Sequence, residues 1–169
     1  MSCLITQGFT KDCRDSVGGI RTVYLANWSE IDSYTESDGE ISAITMSSGS
    51  NFYEYELRRQ TSNFTETYEG SEEAGTLFHQ QDVTIQLTRL EVAKRNEIYL
   101  IAKTDVVLVA EDNNGNQLLF GKENGLTISG NSTSGTAFGD LSGYELTFSG
   151  QEKFPASFVS ASVIAGLTP

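Results

Sequence analysis

The sequence predicts a mainly β protein: an antiparallel β-sandwich or barrel with one flanking α-helix at about residues 90–103, in a single domain spanning 1–169. Three observations carry that expectation. From Leu77 to Thr88 apolar and polar residues alternate with period two. Only one window, Leu90–Ala102, combines a helical apolar repeat with freedom from Gly and Pro. Sixteen glycines against two prolines punctuate the chain often enough for a turn-rich β protein.

The elements follow in order. Ile20–Trp28 is β-branched and aromatic, is entered through Gly18-Gly19, and reads as the first long strand. Ser29–Glu40 carries Glu30, Asp32, Glu36, Asp38 and Glu40 with few apolar residues, and reads as a solvated loop. Ile41–Met46 is a short strand, and Ser47–Asn51 a turn. Phe52–Arg59 alternates, with Tyr53, Tyr55 and Leu57 on one side and Glu54, Glu56 and Arg58 on the other. Asn63–Tyr68 alternates in the same way, and Gly70–Gly75 is an acidic turn holding Glu72 and Glu73.

In the next strand Leu77, His79, Gln81, Val83, Ile85 and Leu87 are expected inward. Beyond it, Leu90, Ala93, Ile98, Leu100 and Ile101 share the apolar face of the helix. Val106–Ala110 is apolar on both faces, which predicts a central strand. Asn113-Asn114-Gly115 supplies residues that tolerate positive φ and closes a hairpin onto Leu118–Phe120. Leu126–Ser129 and Tyr144–Ser149 are further strands, joined by a connection that opens with Gly130–Gly135. Phe154–Pro169 is apolar enough to pair or dock.

Charge and composition exclude several functions. A net charge of −12 and a pI near 4.4 argue against a Lys/Arg face that grips nucleic acid. They leave open a surface that DNA passes without sticking. No run approaches 18 apolar residues, so no membrane span is expected. The first residues lack a basic stretch followed by a long apolar run, so a secretory signal is not expected. Cys3 and Cys13 are expected to stay reduced as buried or inert thiols, since two cysteines make no disulfide scaffold and complete no zinc set.

No catalytic constellation emerges. His79, the single histidine, sits mid-strand with no nucleophile elbow near it. Glu111–Asn116 lacks the alternating ligands and final bidentate Glu of a calcium loop and reads as a hairpin turn. No glycine-rich loop leads into a helix, as phosphate binding would require. Carboxylate pairs such as Glu54/Glu56 arise readily by chance among 23 acidic residues. The chain is therefore read as a non-enzyme without cofactor or metal. One broad feature remains: the polar strand faces collect Glu54, Glu56, Thr65, Thr67, Gln80, Asp82, Thr84 and Gln86, with one Arg and no Lys.

The order of elements carries a resemblance. The strand Gly19–Ala26, a long hairpin before a single helix, and the Asp112–Gly115 turn leading to Leu119-Phe120-Gly121 come first. The segment Ser134–Gly150, with Gly139-Asp140-Leu141-Ser142-Gly143-Tyr144 running into a late strand, and the closing Phe154-Pro155-Ala156 follow. Together these resemble bacteriophage tail tube (major tail) proteins and the related neck or tail-barrel ring proteins. The resemblance implies a virion structural protein of the tail or neck, assembled in the host bacterial cytoplasm. It implies homo-oligomeric rings, hexameric or higher, that join other tail or neck proteins and form a conduit for DNA without binding it specifically. On that reading Glu54, Glu56, Gln80, Asp82, Thr84 and Gln86 face the lumen. Glu30, Asp32, Tyr34, Glu36, Asp38, Glu72 and Glu73 lie in loops between subunits.

The alternative from another class is a virion decoration or fibre-type β-sandwich that binds a carbohydrate or cell-surface partner. Trp28, Tyr34, Tyr53 and Tyr55 are its candidate stacking residues. Self-association separates the two readings.

Overall fold

The computed structural model describes residues 3–169. Eleven strands form two sheets. In chain order they are β1 (Ile20–Asn27), β2 (Ile31–Ser37), β3 (Glu40–Met46), β4 (Tyr53–Glu56), β5 (Asn63–Ser71), β6 (Thr76–Thr88), β7 (Val106–Asp112), β8 (Gln117–Phe120), β9 (Thr127–Thr133), β10 (Gly143–Glu152) and β11 (Ser157–Val159). Helix α1 (Val92–Ile101) lies between β6 and β7, and a short α2 (Ala161–Ala165) follows β11. The larger sheet has the order β2-β3-β11-β8-β7-β1-β4; the smaller is β5-β6-β10-β9. The fold is a β-sandwich, antiparallel throughout except for the β11–β3 pair, and it is not a closed barrel.

The main core lies between the sheets. The small sheet contributes Val83, Ile85, Leu146 and Phe148, all 4% exposed or less, and the large sheet contributes Leu25, Leu108 and Phe120. The period-two expectation for β6 holds from His79 to Leu87, where every odd residue is buried and every even one partly exposed. Leu77 departs from it. It sits at the hairpin end of β6, opposite Gly70, and stays exposed.

Strand β7 is central, as its two-faced apolar run predicts, with β8 on one side and β1 on the other. Its second face builds a further core not anticipated from the sequence: Val107 and Val109 pack with Ile41, Phe52, Leu119 and Ile164. The C-terminal segment covers this side through α2, and the Phe52 N–H donates to the Leu167 carbonyl at 3.0 Å. The expectation that residues 154–169 pair or dock is met by β11 and α2.

Several expectations need correction. Ser29–Glu40 is not a solvated loop. It contains a 3-10 turn (Trp28–Glu30) and β2, which forms a hairpin with β3 through Asp38 (φ 53°) and Gly39 (φ 82°). Asp-Gly with both φ positive matches the right-handed twist of a tight hairpin. The sequence carried that signal, and the surrounding charges masked it.

Phe52–Arg59 shrinks to the four residues of β4, which pair with β1 and not with β5. Strand β9 runs on to Thr133, so the expected Gly130–Gly135 connection is strand for its first four residues. Helix α1 is shorter than expected and has no buried residue. Only Ile98 and Ile101 of its expected apolar face pack on the main core, while Leu90, Ala93 and Leu100 are exposed. The helix links the small sheet to the large one, lies alongside β9, and touches the core with one edge. Cys3 and Cys13 are exposed thiols, not buried ones, because the segment before β1 forms no helix or strand.

Candidate functional site: the outer face of the small sheet

With the odd side chains of β6 in the core, the even ones form the opposite face. Register extends that face across four strands. Thr65, Asp82, Ser149 and Thr127 lie side by side in one row, and Thr84, Thr147 and Ser129 in the next. Thr67, Gln80 and Gln151 form a third, and Gln86, Glu145 and Asn131 a fourth. Among the described residues these strands place no Lys or Arg on the face, and its central rows hold two carboxylates, Asp82 and Glu145.

The side chains brace one another. Ser149 Oγ donates to Asp82 Oδ1 at 2.6 Å, Gln80 Nε2 donates to Ser149 Oγ at 2.9 Å, and Thr84 and Thr147 meet at 3.4 Å. Such a face offers water a dense, fixed array of hydroxyls and amides. It offers a polyanion no cation to hold.

Of the residues expected to face a lumen, Gln80, Asp82, Thr84 and Gln86 are brought together here. Glu54 and Glu56 are not. They stand on β4 of the large sheet, opposite Tyr24 and Thr22, because β4 pairs with β1 and not with a strand of the small sheet. Their face also holds Arg21, whose guanidinium pairs with the buried Glu111 carboxylate.

The edges of the small sheet differ from those of the large one. β5 and β9 have regular registers, contain no Pro, Lys or Arg, and pair with no further strand among the described residues. The outer strands of the large sheet are blunted by comparison. β4 has four residues, and β2 carries two register irregularities. Irregular and short edges resist pairing; long regular ones invite it.

The residues expected in loops between subunits lie in two places. Glu72 and Glu73 are in the exposed β5–β6 turn, as expected. Glu30 is in the 3-10 turn, Asp32, Tyr34 and Glu36 are in β2, and Asp38 is in the β2–β3 turn. Glu36 is tied within its own chain. It accepts the Ser157 hydroxyl at 2.6 Å and pairs with Lys122, and the hydrogen bonds from Lys122 and then Ser157 hold its carboxyl below the usual range.

This clasp rims a cleft of about 420 Å³ at one end of the sandwich. Deeper in, Gln81 is 1% exposed and bonded through both ends of its amide: its NH2 donates to Glu66 at 2.8 Å and its oxygen accepts the Gly121 N–H at 3.0 Å. Glu152 is buried beside it and accepts the N–H groups of Glu123 and Asn124, and burial pushes its carboxyl upward. The cleft is thus a structural polar network in which most groups already have partners. Sequence reasoning missed it because Gln81 and Glu152 are ordinary polar residues until the register turns them inward.

The four candidate stacking aromatics do not converge. Tyr34 belongs to β2 and Tyr53 and Tyr55 to β4, at opposite edges of the seven-stranded sheet. Burial raises both Tyr34 and Tyr55, the latter to about 12, with Glu97 and Tyr53 adding to it at Tyr55. Trp28 Nε1 donates to the Lys122 carbonyl at 3.3 Å. His79 is buried and meets the Tyr68 ring edge-on at 4.7 Å, a packing role.

No family model, no curated protein and no solved structure matches this chain.

Proposed function

We propose that this protein is a structural subunit of a phage tail tube, or of a neck or tail-barrel ring, whose small sheet lines a conduit for DNA. One observation carries the reading: a four-stranded face whose four central rows are polar and free of Lys and Arg, with Phe78 only at the β5–β6 turn end, bounded by two pairing-competent edges. DNA carries one negative charge per roughly 1.7 Å, so a basic wall would exchange counterions and retain it. A wall of Thr, Ser, Gln and Asn with sparse carboxylates does not.

The strand directions support closure. Each neighbour in β5-β6-β10-β9 is antiparallel, so β5 and β9 run in opposite directions. The β9 edge of one copy therefore meets the β5 edge of the next as another antiparallel pair, head to tail around a ring. At about 4.8 Å per strand, four strands add roughly 19 Å of circumference per copy. Six copies give a barrel about 37 Å across between backbones, and more if the strands tilt, which leaves room for a duplex inside the side chains.

The reading as a ligand-binding decoration or fibre module has less to stand on, since its aromatics are dispersed over two edges of the large sheet. Negative-stain imaging of the purified protein tests the proposal. Rings or tubes with a stain-filled centre are expected. A protein that stays monomeric at high concentration with no partner added overturns it.

A further inference from the structure

The two ends of the β5–β6 strand pair carry opposite charge. At one end, Arg58 and Arg59 precede β5 and Arg89 follows β6; at the other, Glu69, Glu72 and Glu73 surround the connecting turn. All six are exposed. The chain has 23 acidic against 11 basic residues, yet Arg58 and Arg59 reach no carboxylate among the described residues, and neither do the three glutamates reach a cation. Arg89 stands 3.9 Å from the Glu91 carboxylate, which leaves Arg58 and Arg59 as the two guanidinium groups of this end without an ion pair among the described residues.

The backbone at the basic end is also unusual. Gln60 (φ 59°) and Arg89 (φ 70°) are two of the three non-glycine residues with positive φ among those described. Such a conformation is strained for a residue with a side chain and persists where surrounding structure enforces it. Here the enforcement is visible: the Thr61 hydroxyl donates to the Arg58 carbonyl at 2.8 Å, and the Arg89 N–H donates to the Ser142 carbonyl at 2.7 Å. An open niche of about 430 Å³ lies beside them, lined by Arg58, Lys94 and Glu56.

We infer that the basic end docks on the acidic β5–β6 turn of a second copy, so that subunits stack head to tail along the strand direction. Both patches cap the same two strands, so a translation along β6, roughly 43 Å for its thirteen residues, brings one onto the other. Arg58 and Arg59, with Arg89 beside them, then face Glu69, Glu72 and Glu73. Opposite charges across the contact fix polarity, because two basic ends or two acidic ends repel. The inference deepens the ring reading by assigning the surfaces through which layers join.

Two charge-reversed full-length proteins test it: Arg58→Glu/Arg59→Glu and Glu72→Lys/Glu73→Lys. Circular dichroism checks folding, and negative stain counts layers at 50 and 500 mM salt. Wild type should stack at low salt and separate at high salt. Each double variant should stop at single rings, and the quadruple variant, with both ends exchanged, should stack again. Stacking by either folded double variant as in wild type, or no recovery in the quadruple variant, overturns the inference while leaving rings intact. If wild type forms no rings, the ring reading fails by itself. The inference then requires linear head-to-tail oligomers lost at 500 mM salt, and their absence overturns it. Retention of a DNA fragment that depends on Arg58 and Arg59, with stacking unchanged in their variant, would assign the patch to phosphate and also overturn it.

Discussion

Ser149 on β10 donates its hydroxyl to Asp82 on β6 at 2.6 Å, and the two residues are direct cross-strand partners. The contact fixes one of the two central carboxylates of the polar face, while Glu145 stands two rows away opposite Gln86. Both point away from the core. Asp82→Lys with Glu145→Lys should therefore leave the fold and ring assembly intact while reversing the sign of the wall. Assembled particles should then retain duplex DNA at low salt and release it as salt rises, whereas wild type retains none. Electrophoretic mobility of assembled particles with labelled duplex reads the difference. Identical behaviour of variant and wild type would mean that DNA does not pass this face.

Ring closure through β9 makes a separate prediction. Successive residues of an edge strand point their N–H groups alternately toward and away from the neighbouring strand. Of Asn131→Pro and Ser132→Pro, one removes an N–H bonded to β10 and should destabilise the fold by about 3 kcal/mol or more. The other removes an outward N–H and should leave monomer stability within about 1 kcal/mol while abolishing rings. Urea unfolding paired with light scattering separates the two. If both variants still form rings, closure does not use β9.

Acid should loosen the Glu36–Lys122–Ser157 clasp. The Glu36 carboxyl is held below its ordinary 4.5 in the folded state. Its contribution is thus complete above that value and is lost as pH falls through the lower folded one. Glu36→Gln should cost about 1 kcal/mol at pH 7 and flatten the acid limb of the stability profile. An unchanged acid limb in urea titrations between pH 3 and 6 would show that the clasp adds nothing.

The β7–β8 turn depends on Asp112. Its Oδ1 accepts the N–H groups of Asn114 at 2.9 Å and Asn116 at 2.8 Å, and Asn114 in turn exchanges two hydrogen bonds with the Val17 backbone. Asp112→Ala should destabilise by about 1–2 kcal/mol, by analogy with the loss of a helix cap. It should also raise amide exchange at Val17. Cys3→Ser with Cys13→Ser should change stability by less than about 0.5 kcal/mol, since both thiols are exposed.

These sites differ in how far the sequence revealed them. The alternation from His79 to Leu87 is a local signal, set by one strand between core and water, and it placed Gln80, Asp82, Thr84 and Gln86 correctly on one face. The central position of β7 was legible for the same reason, since an apolar run on both faces admits few other places. Glu54 and Glu56 were misplaced because alternation tells which residues share a side and not which sheet the strand joins. Tyr53–Glu56 pairs with Thr22–Leu25, some thirty positions earlier, and nothing in the local pattern names that partner. β2 was hidden because its charges mimic a loop while its pairing is supplied by the backbone and by Ile31 and Tyr34. Gln81 and Glu152 were invisible as buried groups because their burial rests on partners 40 and 28 residues away, at Gly121 and Asn124.

The small sheet has a core on one side only, whereas β7 in the large sheet is packed on both. The outward positions of β6 and β10 are thus chemically independent of what holds the subunit together. Those surface positions can be rewritten while the opposite face keeps its Val, Ile, Leu and Phe, as ink changes on a page without altering the binding. On the conduit reading proposed above, selection can retune the lining at little structural cost. An engineer could use the same freedom to make a pore whose lining is chosen one row at a time, with fixed charge, aromatic rings or thiols for attachment placed at known heights along its length.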